Sequence, residues 1–144
     1  MHALMARGIS VVTLGVADME RARRYYASIF ESPGPAPGSG PCYFRLPGSW
    51  LALYPRHDLA SYFGVDPAGS GFSAVTMSIN VTAPEHVDAL CERLRGAGGT
   101  VSAAPGPASW GGRVACVADA DGHLLELVWN PRFESLLATA GAGA

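Results

Sequence analysis

Apolar residues recur at every second position in short runs of this chain, and at every third or fourth in two longer runs. In "GISVVTLGV" (8–16), Val12, Leu14 and Val16 share one face at period two, which predicts a strand. "ADMERARRYYASIF" follows with a helical stripe of Met19, Ala22, Tyr26, Ile29 and Phe30. Asp18 stands at its N-cap, and Glu20 and Arg24 form an i,i+4 pair on the outer side. "SPGPAPGSGP" (32–41) predicts a loop. "CYFRL" and "WLALYP" then predict two short strands turned at Pro47-Gly48.

After an irregular stretch (55–72) marked by Pro67 and Gly69, the pattern restarts. "AVTMSINV" alternates, with Val75, Met77, Ile79 and Val81 on one face and Thr76, Ser78 and Asn80 on the other. "TAPEHVDALCERLRGAGG" opens with Thr82 and Glu85 at capping-box spacing and carries a Val87, Leu90, Cys91, Leu94 stripe. Gly96, Gly98 and Gly99 stop it. "TVSAA", "RVACVA" and "HLLELVW" supply three more strands, and the tail "ESLLATAGAGA" is small and featureless. The order β-α-β-β-(β), linker, β-α-β-β-β indicates a duplicated module in an α+β chain.

Composition narrows the function classes. The chain has 144 residues, about half apolar and 15% charged, enough for one domain or two small halves. A net charge of −2 argues against nucleic acid or anionic membrane as partner. The apolar runs are strand-sized, so no segment is expected to span a membrane, and "MHALMARG" shows no secretory signal. Cys42, Cys91 and Cys116 are odd in number and widely spaced, which predicts reduced thiols and a cytoplasmic location.

"VTLGVADMERARRYY", "WLALYPR", "VDALCERLRGAGGTV" and "WGGRVACVADADGHLLELVWNP" together resemble the vicinal oxygen chelate superfamily, the glyoxalase/bleomycin-resistance/dioxygenase group. The resemblance implies one domain over 9–131, built as two tandem βαβββ modules (9–56 and 73–131) whose mixed sheets curl around a shared cleft. The linker is then 57–72 and the tail 132–144. It further implies a homodimer. Members of the group are metal-dependent lyases, isomerases or dioxygenases, or metal-free binders of drugs and other small molecules, so the site has to decide.

In metal-using members each module gives one ligand from its first strand and one from its last. Carried onto this chain, those positions are Val11, Ala52, Thr76 (or, counted from the helix, Ile79) and Glu126. One carboxylate cannot hold a catalytic divalent ion, which takes about three protein ligands, so no metal cofactor is expected. A divalent ion remains the alternative if the alignment has slipped. His123 does not rescue the site, because residues three apart on a strand face opposite sides. Asp119, Asp121 and His123 read as turn residues around Gly122. His2 and His57 fall in predicted loops and His86 at a helix start, all surface positions.

Glu126 is the one candidate for a general base. In a partly apolar pocket it would titrate upward, pair with Arg45 or Arg113, or meet a donor on a ligand. The residues assigned to ligand binding are Trp50, Tyr54, Thr76, Ser78, Asn80, Trp110, Arg113 and Glu126, with Thr13 also facing the cleft. Trp50 and Tyr54 flank Ala52 at strand period, which suits a flat apolar or aromatic ligand. Trp110 before Gly111-Gly112 either swings on a hinge over a bound ring or packs on the neighbouring sheet. No nucleophile elbow or phosphate-cradling loop is present. The expected function is a metal-free small-molecule binder. The alternatives are an enzyme of the same superfamily using Glu126 as base or ligand, and an accessory dimer.

Overall fold

A computed structural model describes residues 9–30 and 40–132. The elements are β1 (Val11–Val16), α1 (Met19–Ile29), β2 (Cys42–Phe44), β3 (Trp50–Pro55), α2 (Arg56–Phe63), β4 (Thr76–Val81), α3 (Pro84–Gly96), β5 (Thr100–Pro107), β6 (Arg113–Ala118) and β7 (Leu124–Trp129). They form two mixed sheets, β1-β3-β2 and β4-β7-β6-β5, with the α+β character the alternation predicted. Two compact units divide between Ser70 and Gly71. Most of the predicted 32–41 loop, His2 and the tail from 133 lie outside the described residues.

In the first unit β3 runs parallel to β1, from Val11 opposite Trp50 to Val16 opposite Pro55, and antiparallel to β2. One face of this sheet carries Leu14, Val16, Leu51 and Leu53, all buried. Helix α1 covers that face: the Phe30 ring just past its end lies 5.6 Å from Phe44, the ladder partner of Leu51. Ala22, Tyr25, Tyr26 and Ile29 are its buried residues, so the predicted stripe holds with Tyr25 added. Asp18 caps the helix, accepting the Arg21 N–H at 2.9 Å. Glu20 bonds Arg23 at 2.5 Å and reaches Arg24 only at 3.9 Å, so the i,i+3 neighbour displaces the predicted i,i+4 pair.

The stretch read as irregular contains α2. It was invisible to periodicity because only Ala60 is buried along it. Pro55 precedes its first turn, and Gly64 closes it in the left-handed conformation, its N–H donating to Ala60 and Ser61. Helix α2 rests on β1 where a glycine makes room: a Cβ on Gly15 would stand 3.3 Å from Leu59 Cδ2 and 3.4 Å from Arg56 Cα. Arg56 Nε then donates to Pro67 O at 2.7 Å, tying down the segment beyond the helix.

In the second unit β4 is parallel to β7, while β6 is antiparallel to both β7 and β5. Ala115, Val117, Leu125 and Leu127 are buried on one face, and Val87, Leu90, Cys91 and Leu94 are the buried residues of α3. The predicted capping box does not form. Pro84 opens the helix with Ala83 at the N-cap, and Thr82 Oγ1 lies 3.3 Å from His86 Nδ1 instead. The glycine stop does form, with Gly99 N–H donating to Leu94 O at 2.8 Å and Gly98 at φ 101°. β5 runs longer than "TVSAA" predicted and carries register shifts after Val101 and Ala103. No helix among the described residues is long and apolar enough to cross a membrane.

Candidate ligand-binding faces

Each sheet has a second face, turned away from α1 or α3, and the ladder fixes which side chains stand there. In the second unit Ser78 pairs with Glu126 across β4–β7, and Glu126 with Cys116 across β7–β6. Directly paired residues point to the same side, so these three form a row, with Thr76 and Asn80 to either side on β4. Ser78 Oγ donates to Glu126 Oε1 at 3.2 Å. Thr76 and Ser78 are exposed; Asn80, Cys116 and Glu126 are half-buried. The four candidates Thr76, Ser78, Asn80 and Glu126 therefore share a face.

Arg113, offered as a counter-ion to Glu126, does not meet it. Arg113 pairs with Trp129 in the ladder, which puts it on the face shared with Leu127 and hence toward α3. There its Nε donates to Asp88 Oδ1 at 2.6 Å and its Nη2 to Oδ2 at 2.8 Å. The guanidinium hydrogen bond to Asp88 holds that carboxyl below its usual range, and the carboxylate raises Arg113 in turn. Arg45 stands over the Trp50 ring, 5.1 Å from its centroid.

The equivalent row in the first unit is Thr13, Ala52 and Tyr43. Tyr43 meets Trp50 edge-on, with ring centroids 6.0 Å apart. Trp50 is anchored by its N–H, which donates to Ser10 O at 2.8 Å, and by the neighbouring Ser49 hydroxyl, which donates to Ile9 O. Tyr43 and Trp50 are 42% and 37% exposed, large apolar surfaces that packing within the sheet leaves uncovered. Tyr54 is half-buried beside Gly15, near the ground taken by α2. The same face thus presents aromatic rings and a cation in one unit, and a carboxylate, a thiol and hydroxyls in the other. Tyr43 and Cys116 were not singled out from sequence as residues of these faces, and Arg45 was offered only as a counter-ion to Glu126. Period-two alternation in "CYFRL" and "RVACVA", paired across the turns, was the signal that could have found them.

The two parallel ladders share one register, Val11 against Trp50 and Thr76 against Leu124. Thr76 is accordingly the equivalent of Val11. Ile79 pairs with buried Leu127 on the helix side and drops out as the alternative. The positions that would hold a metal are Val11, Ala52, Thr76 and Glu126, one carboxylate and one hydroxyl beside two side chains without a lone pair. These residues do not fit a divalent ion that needs three protein ligands. Among the described residues no group of three or more His, Cys, Asp or Glu side chains converges to hold one.

The "DADGH" segment is a turn. Asp119, 7% exposed, accepts the N–H groups of Asp121 and His123 through Oδ1 at 2.9 and 2.8 Å, while its own N–H donates to His123 O. Gly122 completes the turn at φ 86°. His57 lies in α2 rather than a loop, exposed like His86. Trp110 sits in a closed hairpin: Ala108 N–H donates to Gly112 O at 2.8 Å and Gly111 N–H to Ala108 O at 3.0 Å. A Cβ on Gly112 would fall 2.1 Å from Trp110 Cζ3 and 2.4 Å from Trp129 O, so the indole folds back onto Gly112. That is the packed arrangement, and the glycine serves close approach rather than a hinge.

The sequence from Ala52 to Leu127, more than half of the chain, matches the profile of the Glyoxalase/Bleomycin resistance protein/Dioxygenase superfamily. The chain belongs to that superfamily. Among proteins similar to this superfamily member is the metallothiol transferase FosB of Shouchella clausii, 29% identical over 126 residues that make up 85% of this chain and 80% of that one. A glyoxalase-related enzyme from Fulvimarina pelagi superposes with a TM-score of 0.80 at 30% identity, covering 88% of this chain and 90% of the other. A hypothetical protein from S. aureus gives 0.76 at 20% identity over 88% and 95%, a likeness of fold alone.

Proposed function

We propose that this superfamily member binds a flat small molecule without a metal at the superfamily position. One observation carries the reading. The matched ladders leave Glu126 as the only strong donor among the four ligand positions, while Tyr43 and Trp50 stand uncovered on the face that bears Ala52. A ligand held there would gain by stacking on rings rather than by chelation. The expected partner is thus a small molecule, not nucleic acid or membrane, and the expected assembly is a cytoplasmic homodimer.

The test is calorimetric titration of aromatic compounds into protein purified without chelator, before and after dialysis against EDTA, alongside elemental analysis. The expected result is binding that survives EDTA and is lost in Trp50→Ala. Near-stoichiometric metal, or binding abolished by EDTA, overturns the reading.

A second reading is supported by the Ser78–Glu126 hydrogen bond and by the likeness to a protein named a metallothiol transferase. On it Glu126 is a general base or a metal ligand in an enzyme. Glu126→Gln would then abolish turnover of a bound compound with little change in its affinity. On the first reading the same variant changes affinity at most.

A further inference from the structure

We infer that the ligand of the Tyr43–Trp50 face is an aromatic anion, a planar ring bearing a carboxylate or a comparable acidic group. This rests on the binding function proposed above and adds the charge of the ligand to it. The cation is Arg45. It continues β2 past Phe44, and its guanidinium carbon lies 5.1 Å from the centre of the Trp50 ring. Among the described residues no ion pair joins Arg45 to a carboxylate; Glu20, Asp88 and Glu92 pair with other arginines. The chain as a whole is slightly acidic, so an arginine with no acid beside it among the described residues of the aromatic face does not follow from a general basic surface.

The geometry gives the two groups separate tasks. Trp50 and Tyr43 meet edge-on, so their exposed surfaces offer a ring both a face and an edge to pack against. The guanidinium is planar, with five donors in a fork that matches a carboxylate. A guanidinium over an indole holds the ring through cation–π attraction, which does not use up its N–H donors, so the fork can still bond an acid. A ring stacked beside Trp50 with its acid directed at Arg45 satisfies both surfaces at once. A cationic ring would be repelled, and a neutral one would leave the fork to water.

Three naphthalene probes of nearly equal shape decide the matter: naphthoate, naphthalenemethanol and naphthylmethylammonium. Each is titrated by calorimetry into wild type, Arg45→Met and Arg45→Lys, with the Trp50 indole N–H followed by NMR. The expected order is naphthoate first, by about tenfold over the alcohol, as a charge-assisted hydrogen bond supplies. Arg45→Met should erase that preference while the alcohol's affinity stays, and Arg45→Lys should retain part of it. Added salt should weaken naphthoate alone. Equal binding of all three probes, tightest binding of the ammonium, or an equal loss of naphthoate and alcohol in Arg45→Met overturns the charge assignment and leaves the binding function standing. No binding of any probe to folded wild type overturns both.

Discussion

Replacing Gly112 with alanine tests whether the Trp110 indole is a packed part of the β5–β6 hairpin or a mobile cover for a ligand. The new methyl would sit 2.1 and 2.3 Å from Trp110 Cζ3 and Cη2, and 2.4 Å from Trp129 O, far inside the 3.0 Å that real Cβ atoms keep. The indole can swing away, but Trp129 O belongs to a strand paired with β6. Backbone overpacking of this kind costs about 1–3 kcal/mol. Trp110 is 44% exposed, so somewhat more than half its surface is still covered. Losing roughly 100 Å² of that cover would cost about 2.5 kcal/mol as an upper limit. Reduced freedom of the unfolded chain returns about 0.5–1 kcal/mol. The net loss should be about 2–4 kcal/mol, read as a lower urea midpoint at unchanged slope. Gly111→Ala is the control. It has open space but φ 101°, so it should lose only about 1–2 kcal/mol through backbone strain. In a Trp110→Ala background the Gly112→Ala penalty should shrink without vanishing, because the carbonyl clash remains. If Gly112→Ala unfolds at the wild-type midpoint, the packed indole is wrong and a hinged Trp110 regains its place in ligand binding.

The Asp88–Arg113 pair sets a pH dependence. Arg113 lowers the folded pKa of Asp88 below its unfolded value, so the stabilisation is fully present above the unfolded value and is lost as pH falls through the folded one. Asp88→Asn should flatten the acid side of a plot of urea midpoint against pH, and an unchanged slope would show the pair to be idle. Iodoacetamide should modify Cys116 first in the folded protein. Cys42 and Cys91 are buried, and burial pushes both thiols up. Peptide mapping that found Cys91 labelled as fast as Cys116 would contradict the sheet faces assigned here. Asp119→Ala should cost about 1–3 kcal/mol, since it strands the half-buried N–H groups of Asp121 and His123. Asp119→Asn keeps an acceptor oxygen and should cost clearly less, so equal midpoints for the two would refute the turn's role.

The elements legible in the sequence are those whose burial is one-sided. "MERARRYYASI" and "HVDALCERL" announce their stripes because each covers a sheet, and "RVACVA" alternates because one face meets α3. Helix α2 escaped because Ala60 is its one buried residue, which leaves no apolar stripe for periodicity to register. The capping box failed because Pro84 took the first helical position, a local constraint that spacing between Thr82 and Glu85 does not register. Of the partners offered for Glu126, Arg113 fails for a geometric reason. Which arginine a carboxylate can reach depends on ladder register, and Arg113 lies on the other side of the sheet from it. The choice between Thr76 and Ile79 was of the same kind and needed the β4–β7 pairing to settle.

Comparing the two halves with each other locates the chemistry without reference to any other protein. Superposing the parallel ladders sets Leu51 on Leu125, Leu53 on Leu127, Leu14 on Ile79 and Val16 on Val81. On the helix-facing side the residues are thus identical or of one type, since a covering helix demands apolar volume at those points whatever the protein does. The other side has lost most of that agreement. Ala52 answers to Glu126, Trp50 to Leu124 and Val11 to Thr76, with only Thr13 and Ser78 keeping a hydroxyl in common. Packing against the helix cannot have driven those differences, because these side chains point away from it. They are the positions at which one backbone register has been given two surfaces, an aromatic one beside a cation and a polar one around a carboxylate.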